Sequence, residues 1–205
     1  MFDYTGSIAV ELAKGGAVDD RMFDQLYPEE IQKPSEKLWT PVSVAMRAAS
    51  LLVTSEQSRI LDVGSGCGKF CIVGALSTAG QFVGIEQRPL LASAAEEAAR
   101  RLKLGNVSFI MGNMEKLEWR GFTGVYLFNP FYENVDEAAR LDDTIPYSPV
   151  LYQRYLGAVV NKLRCLRPGT RVATYYGFGA EMPPGYERVS RERFLNGDLD
   201  LWVKD

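Results

Sequence analysis

The sequence predicts an α/β fold: a doubly wound, mostly parallel, seven-stranded sheet that ends in an antiparallel hairpin. Three observations support this prediction. Short β-type runs alternate with helical stretches at the spacing of βαβ units. One such run, which begins at Arg59, leads directly into a glycine-rich turn and then a helix. Two further strand candidates stand together near residue 205, with the turn-rich residues 196–198 between them.

Each element has a local signal in the sequence. Thr40 at an N-cap and Pro41 at the first helical position predict the start of a helix. Glycines at 80 and 105 predict helix ends, and residues 167–169 (Arg-Pro-Gly) predict another. The predicted helices are 41–53, 67–78, 89–104 and 148–166. The predicted strands are 59–63, 81–85, 107–111, 124–128, 171–178, 186–191 and 199–203.

Composition excludes several classes of protein. The 205 residues include no histidine, which rules out Ser-His-Asp and Cys-His mechanisms and disfavours catalytic zinc. Lys and Arg total 23 against 26 Asp and Glu, a net charge of −3 that disfavours general nucleic-acid binding. No apolar run approaches the roughly 20 residues of a membrane helix. With three cysteines and no signal-peptide pattern at the N-terminus, we expect a cytoplasmic, reduced protein.

The most informative segment is the glycine-rich turn after the first strand. Glycines occupy the alternate positions Gly64, Gly66 and Gly68, and Asp62 precedes them on the strand. Glycine allows a tight turn and a close approach of the backbone to a ligand. The start of the following helix offers unpaired N–H groups.

Two common nucleotide-binding motifs do not fit this turn. A phosphate-binding P-loop needs a first glycine where Val63 stands, and Ser or Thr where Phe70 stands. A dinucleotide fingerprint that starts at Gly64 needs a glycine at position 69, which is lysine. The remaining pattern is GxGxG preceded by an acidic residue.

That pattern, Asp62-Val-Gly64-Ser65-Gly66-Cys-Gly68, resembles the first motif of the class I S-adenosylmethionine-dependent methyltransferases, which have a Rossmann-like fold. The resemblance extends from about Trp39 to the C-terminus. It implies that the glycine loop packs against the methionine part of S-adenosylmethionine and that Asp62 helps to bind it. On this basis we expect residues 39–205 to be the catalytic domain and residues 1–38 to be an N-terminal extension or lid.

Two later strand ends extend the resemblance. Glu86, with Gln87 beside it, ends the second strand, where the family places an acid on the ribose hydroxyls. A carboxylate can accept both hydroxyl protons. After the third strand, Asn113 stands where the family binds the adenine amino group, and Met114 can cover the ring. The order and spacing of these motifs are more informative than any one of them.

The end of the fourth strand predicts the acceptor site. Asn129-Pro130-Phe131-Tyr132 resembles the Asn-Pro-Pro-Tyr motif of amino-group methyltransferases. The resemblance implies that the Asn129 side chain and the Pro130 carbonyl accept hydrogen bonds from a target NH₂, and that an aromatic ring packs on it. These four residues are the candidate catalytic residues, and Asn129 also faces the cofactor.

Phe131 in place of the second proline brings the chain nearer to the non-SET protein-lysine methyltransferases. Residues 62–66 (Asp-Val-Gly-Ser-Gly), 84–86 (Gly-Ile-Glu) and 40–41 (Thr-Pro) are similar to that family as well. Its members cover the cofactor with the segment before the glycine loop, so the resemblance places Trp39 and Thr40 near it.

The chemistry suits a chain without histidine. Methyl transfer is an in-line displacement at a carbon already activated by positive sulfur, so orientation and desolvation supply much of the rate. A base is needed only to remove a proton from the acceptor. The candidates are Glu133, Tyr132, Tyr175, Tyr176 and water.

Other features favour structural interpretations. Cys67 and Cys71, spaced i and i+4 on a predicted helix, favour core packing over a metal site, and we predict no metal. Arg100, Arg101 and Lys103 favour a solvated helix face over a docking patch. Tyrosines at 147, 152 and 155 can line an acceptor pocket or simply pack.

The sequence therefore predicts a methyltransferase that uses S-adenosylmethionine and an amine acceptor, with a protein lysine as the leading candidate. A small-molecule N- or O-methyltransferase is the next alternative. A nucleic-acid acceptor ranks third because of the acidic net charge. A non-catalytic cofactor-binding module and a nicotinamide-dependent dehydrogenase remain open, and no membrane partner is expected.

Overall fold

The computed structural model describes residues 5–32, 39–136, 140, 144–194 and 197–205. Residues 33–38 of the extension and Asn196 of the expected turn lie outside the described residues. The helices are α1 Thr5–Ala13, α2 Asp20–Asp24, α3 Glu29–Gln32, α4 Val42–Leu52, α5 Lys69–Ser77, α6 Pro89–Arg101 and α7 Pro149–Arg164. The strands are β1 Arg59–Val63, β2 Gln81–Glu86, β3 Val107–Met111, β4 Gly124–Phe128, β5 Arg171–Tyr175, β6 Tyr186–Phe194 and β7 Gly197–Lys204. Short 3-10 helices lie at Met114–Lys116 and Tyr132–Asn134.

The strands form one sheet in the order β3-β2-β1-β4-β5-β7-β6. Neighbouring strands from β3 to β5 are parallel, and β7 is antiparallel to both β5 and β6. The expected doubly wound, seven-stranded fold with an antiparallel hairpin is therefore confirmed. The chain order reverses between β1 and β4, and the carboxyl ends of the strands form a crevice at such a switch point.

The sheet is covered by apolar side chains on both faces. On one face Ile72 of α5 and Ala48 of α4 are fully buried, and on the other Val159 and Leu163 of α7 are fully buried. The central strands are buried along almost their whole length, as expected for parallel strands between helical layers.

The N-terminal helices share the core of the sheet domain. Ile8, Leu12 and Phe23 are fully buried in the same apolar cluster as α4 and α5. The Tyr27 hydroxyl donates to the Cys67 carbonyl at 2.9 Å, at the turn before α5. Weak local patterning in this region did not predict these contacts, because they join residues distant in sequence.

A buried charge cluster ties the extension to the glycine turn. The Lys69 Nζ lies 2.7 Å from both Asp20 and Asp24, and it faces the rings of Phe23 at 5.4 Å and Trp39 at 5.6 Å. The Lys69 and Asp24 side chains are buried, whereas Asp20 is half exposed. Two carboxylates and two aromatic faces thus compensate the cost of burying one ammonium.

The start of α4 differs from the expectation. Thr40 does not cap the helix; its hydroxyl bonds to the Tyr126 hydroxyl at 3.1 Å, and the helix begins at Val42. The Val42 N–H instead donates to the Asp20 carboxylate at 2.9 Å. A cap supplied from 22 residues away leaves no local signal in the sequence.

Some other boundaries also differ. Cys67 was expected in a helix, but Gly68 caps α5 in the left-handed region and Cys67 lies in the turn before it. The predicted strand 171–178 ends at Tyr175, because Tyr176 takes a φ of +55°. Of the expected turn residues, Gly197 already belongs to β7.

The basic face of α6 is only partly solvated. The Arg100 side chain is exposed and pairs with Glu97, whereas the Arg101 guanidinium donates to the Leu26 carbonyl of the extension at 2.9 Å. Lys103 follows the end of α6 and is exposed. None of the described helices is long and apolar enough to cross a membrane.

Asp24→Asn tests the charge cluster. The change leaves the buried Lys69 ammonium with one charged partner, so we expect the free energy of unfolding to fall by about 2 kcal/mol. Chemical denaturation measures it. Glu192→Gln is the control, because its pair with Arg47 is exposed and such pairs contribute less than about 1 kcal/mol. Equal effects of the two changes would contradict the assignment.

Candidate functional site

The glycine turn brings backbone against open space at the carboxyl end of β1. Gly64, Gly66 and Gly68 have φ values of +72°, +56° and +81°, which favour glycine. A Cβ on Gly66 would meet no atom within 4 Å, whereas one on Gly68 would collide with Phe109. Gly68 is therefore needed for packing, and Gly66 faces a space that a ligand can fill.

Glu86 holds this turn in place. One of its carboxylate oxygens accepts the Gly66 N–H at 3.0 Å, and the other accepts the Arg88 N–H at 2.8 Å. The Gly64 and Ser65 N–H groups donate to the carbonyl of Ile85, also at the end of β2. Burial raises the pKa of Glu86, while the two backbone N–H donors lower it.

A cavity of about 140 Å³ lies at the carboxyl ends of β1, β2 and β4. It brings together most of the predicted site residues. On one side its wall contains Gly64, Gly66, Glu86, Gln87, Asn113 and Met114. On the other side the wall contains Asn129, Pro130, Phe131, Tyr132 and Glu133. Trp39 and Tyr155 line it as well.

A second, smaller cavity of about 50 Å³ shares Gly64, Gly66 and Trp39 with the first. It contains three further predicted cofactor residues, Thr40, Asp62 and Ser65, whereas the predicted cofactor residue Gly68 lines neither cavity. The buried Ser65 Oγ has no hydrogen-bond partner among the residues that the structure describes. A buried hydroxyl without a partner is costly, so this atom indicates a place for a polar ligand.

Asp62 is the most perturbed carboxyl of the site. It is buried, and burial raises its pKa to about 7, although a contact from the Cys71 thiol at 3.6 Å lowers it. Nearby Glu86 raises it further. A carboxyl with this pKa can change its charge state near neutrality when a cation binds beside it.

The Asn113 amide already has protein partners. Its oxygen accepts the Glu115 N–H at 2.9 Å, which starts the short 3-10 helix, and its nitrogen lies 3.1 Å from the Tyr155 hydroxyl. The amide oxygen keeps a second lone pair for a ligand. Met114 is buried beside it in the cavity wall, as its predicted role requires.

Backbone strain concentrates at the ends of β4 and β5. Of the four non-glycine residues with positive φ in the described chain, three lie here: Asn129 at +35°, Phe131 at +70° and Tyr176 at +55°. The Asn129 N–H donates to the Gly177 carbonyl at 3.1 Å, which joins the two strand ends. Strained residues of this kind cluster at ligand-binding and active sites.

The structure separates the four candidate bases. Tyr132 and Glu133 line the main cavity. Tyr175 lies away from it, donates to the Phe194 carbonyl, and has a pKa raised to about 12, chiefly by burial. Tyr176 is half exposed and does not line the cavity. Of the four candidate bases, the Glu133 carboxylate and the Tyr132 phenol are therefore the two that a ligand in the main cavity can contact.

The cysteines and tyrosines take different positions. Cys67 and Cys71 are both buried in the apolar core, and Cys67 also borders the second cavity. Of the three tyrosines near α7, Tyr155 lines the cavity, and Tyr147 stacks against the Arg88 guanidinium.

Among the charged and hydroxyl-bearing residues that line the two cavities, sequence reasoning missed three. Lys69 and Tyr126 line the second cavity, and buried Arg88 lines the first. Arg88 directly follows Glu86 and Gln87, so its place beside the strand end was a usable signal. Lys69 and Tyr126 reach the cavity through contacts that no local pattern encodes.

The class of protein follows from a match to a known family. Residues 54–138 match the family model Methyltransf_31, which is described as a methyltransferase domain. The protein contains a methyltransferase domain. The match spans β1 to the end of β4, so this domain includes the glycine turn, Glu86 and Asn129. No curated protein matches the chain at a significant level.

Solved structures share the methyltransferase fold at low identity. An RNA methyltransferase from Salinibacter ruber, in complex with S-adenosyl-L-homocysteine, is 22% identical with a TM-score of 0.60, over 80% of this chain and 92% of its own. TrmN from Thermus thermophilus is 17% identical with a TM-score of 0.63, over 85% of this chain and 52% of its own. A mutant of MtNAS in complex with S-adenosylmethionine is 13% identical with a TM-score of 0.60, over 98% of this chain and 72% of its own.

The expectations of a class I methyltransferase fold and of a methyltransferase are therefore confirmed. The roles of the individual site residues stay predictions, as do the domain division at residue 38 and the lysine acceptor.

The raised pKa of Asp62 predicts how stability depends on pH. The folded protein keeps the Asp62 proton up to about pH 7, while the unfolded chain releases it near pH 4. The contribution of Asp62 to stability therefore falls as the pH rises from about 4 to 7, by roughly 1.4 kcal/mol for each pH unit in that window. In Asp62→Asn the side chain does not titrate, so this pH-dependent loss of stability is absent.

Denaturation of the ligand-free protein at pH 4 to 8 tests it. We expect Asp62→Asn to become more stable than the native protein as the pH rises. Parallel curves for the two proteins would refute the buried, protonated state. Asp198→Asn, which changes an exposed hairpin pair with Arg193, is the control and should follow the native curve.

Proposed function

We propose that the methyltransferase domain binds S-adenosylmethionine across the two joined cavities and transfers its methyl group to a primary amine, with a protein lysine as the leading acceptor. The observation that carries the acceptor class is the strained Asn129-Pro130-Phe131 turn, which lines the main cavity together with the Glu133 carboxylate. An amide oxygen, a carbonyl and a carboxylate are acceptors suited to the N–H donors of an amine.

The residues present fit the cofactor. The Ser65 hydroxyl is buried without a described partner, and the open side of Gly66 leaves space for a ligand against the backbone. Each Glu86 oxygen uses one lone pair on a backbone N–H and keeps others for the ribose hydroxyls. Asp62 in the second cavity, once ionised, suits the ammonium of the methionine part.

When bound, S-adenosylmethionine supplies a methyl group that is activated by a positively charged sulfur. The chain's own contribution is orientation and exclusion of water. Asn129 and Pro130 fix the position of the amine, because the strained turn and its bond to Gly177 hold them rigidly. Phe131 is buried and packs on Tyr155 at 5.0 Å, so it closes the wall beside them.

A nucleic-acid acceptor is the second candidate. An Asn-Pro turn also suits the exocyclic amine of a base, and the similar folds include an RNA methyltransferase. The exposed Tyr132 beside the turn can stack on a base as readily as on a lysine stem. A small-molecule acceptor fits the same wall, so the acceptor is decided by experiment.

Gly66→Ala tests the cofactor site. The new methyl group points into open space and fills part of the cavity, so we expect affinity for S-adenosylhomocysteine to fall at least tenfold in calorimetry. Gly169→Ala is the matched control, with a φ of +81° and no atom near its Cβ. Gly169 lies before β5, at the other end of the sheet, so the control keeps native affinity. Native affinity in Gly66→Ala would exclude the site.

Asn129→Ala and Asn129→Gly test the acceptor site. Both remove the amide, and glycine does so without backbone strain. We expect both variants to bind S-adenosylhomocysteine normally and to lose at least 90% of methyl transfer. Asn161→Ala, on the exposed face of α7, is the control and keeps activity.

The assay follows radiolabelled methyl transfer from S-adenosylmethionine into lysate separated into protein, nucleic-acid and small-molecule fractions. Label in protein that acid hydrolysis recovers as methyl-lysine supports the lysine acceptor. Label confined to RNA or to small molecules overturns it. Full activity without the Asn129 amide removes that residue from the site.

A further inference from the structure

Glu133 is the acidic group on the acceptor side of the main cavity. It lies between Tyr132 and Asn134 in a 3-10 helix that directly follows the Asn129-Pro130 turn. Its carboxylate accepts a hydrogen bond from the backbone N–H of Glu133 itself, and no other residue that the structure describes forms an ion pair or a hydrogen bond with it. Asp62 and Glu86, by contrast, have partners within the glycine turn or beneath it. The Glu133 carboxylate is thus available to a ligand.

The backbone around Glu133 is fixed on both sides. Asn134 is buried, and its side-chain amide donates to the Phe131 carbonyl at 3.0 Å. The oxygen of the same amide accepts the N–H of Ser148, the residue that caps α7, at 3.2 Å. One side chain therefore connects the turn after β4 to the start of α7. This bracing holds the Glu133 carboxylate at a defined place in the wall.

The charges around Glu133 suit a cationic ligand. Burial raises the pKa of Glu133, while a hydrogen bond from its own backbone N–H and the charge of the Arg88 guanidinium lower it. The nearby Glu86 carboxylate repels it, since each of the two acids disfavours ionisation of the other. The titratable groups that share the wall are Glu86, Arg88, Tyr132 and Tyr155, and Asp136 follows on the same turn. A ligand ammonium relieves the repulsion between the two acids.

The wall beside Glu133 is aromatic. Phe128, Phe131 and Tyr132 line the cavity next to it, and Tyr132 is exposed at its edge. Aromatic faces attract cations and also pack against an alkyl stem. A carboxylate and aromatic side chains in one cavity wall therefore favour an alkylammonium over a hydroxyl or a neutral base amine.

We propose that Glu133 selects an alkylammonium acceptor and takes its proton before methyl transfer. The inference rests on the proposed function and names the acceptor class of that same site. The ammonium N–H bond breaks and its proton passes to the Glu133 carboxylate. The freed nitrogen lone pair forms the N–C bond while the S–C bond to the methyl group breaks, and the sulfonium becomes a neutral thioether. The product is a methylammonium, and the proton leaves Glu133 to solvent.

Glu133→Gln separates this role from a structural one. The probe is Nα-acetyl-lysine amide, added to protein saturated with S-adenosylhomocysteine, with binding followed by calorimetry at pH 7. We expect the native protein to bind it and the variant to bind it at least tenfold more weakly, with unchanged affinity for S-adenosylhomocysteine. Nα-acetyl-norleucine amide, which lacks the amine, should not bind to either protein.

The pH profile of methyl transfer to the same probe gives the second readout. In the native protein kcat rises as Glu133 ionises and then levels off, because the carboxylate takes the proton. In Glu133→Gln we expect kcat to be about a hundredfold lower at pH 7 and to rise tenfold per pH unit towards the pKa of about 10.4 of a free lysine. Glu133→Asp, which keeps the carboxylate, should restore the levelled profile in part.

Glu115→Gln is the control, because Glu115 pairs with Arg154 outside the cavity and should leave both readouts unchanged. Equal probe binding in Glu133→Gln and native protein, superimposable pH profiles, or no probe binding to the native protein would overturn the inference. Lack of binding to S-adenosylhomocysteine would instead refute the proposed function, so the two failures are distinguishable.

Discussion

The site depends on one pair of hydrogen bonds, those from the Gly66 and Arg88 N–H groups to the carboxylate of Glu86. Parallel strands bring their carboxyl ends together, but they do not by themselves fix the loops that follow. Glu86 does so for two loops, because its two oxygens bind the backbone after β1 and the backbone after β2. The glycine turn can then keep three positive φ values at alternate positions. The same carboxylate is also the predicted ribose ligand, so the scaffold and the binding group are one residue.

A chain without histidine must place its titratable groups differently. Here burial raises the pKa of three carboxyl groups around the crevice, Asp62, Glu86 and Glu133, and for Asp62 the value reaches about 7. With this pKa, Asp62 can change its charge near neutral pH, which is the range in which an imidazole side chain titrates. The absence of histidine excluded Ser-His-Asp and Cys-His mechanisms, and the structure shows that carboxyl groups with raised pKa values lie around the crevice instead.

The elements that sequence patterns predict well are those set by local chemistry. Strands β1 to β4 and the glycine turn were predictable because each depends on neighbouring residues, and the βαβ spacing then sets the sheet order. The start of α4 was not, because Asp20 supplies its cap from another helix. The packing of α1 on α5 and the burial of Lys69 likewise depend on contacts between distant residues.

In the candidate site, too, the positions of residues could be predicted from the sequence, but their contacts with distant residues could not. Glu86, Asn113 and Asn129 could be named because strand ends in this fold meet at one edge. Their detailed environments could not, since the Asn113 amide is already bonded to Glu115 and Tyr155. The selection of Glu133 over Tyr175 among the predicted bases required three-dimensional placement, because both lie near the end of a strand in the sequence.

The position of β7 has a consequence for how the sheet assembles. In the described sheet β6 is the edge strand and pairs with β7, while β7 alone joins it to β5. Strand β6 comes first in the chain but has no template until β7 exists. Strand β6 is therefore held in the sheet only through a strand that follows it in the chain. Local opening between β7 and β5 would release both strands of the hairpin together.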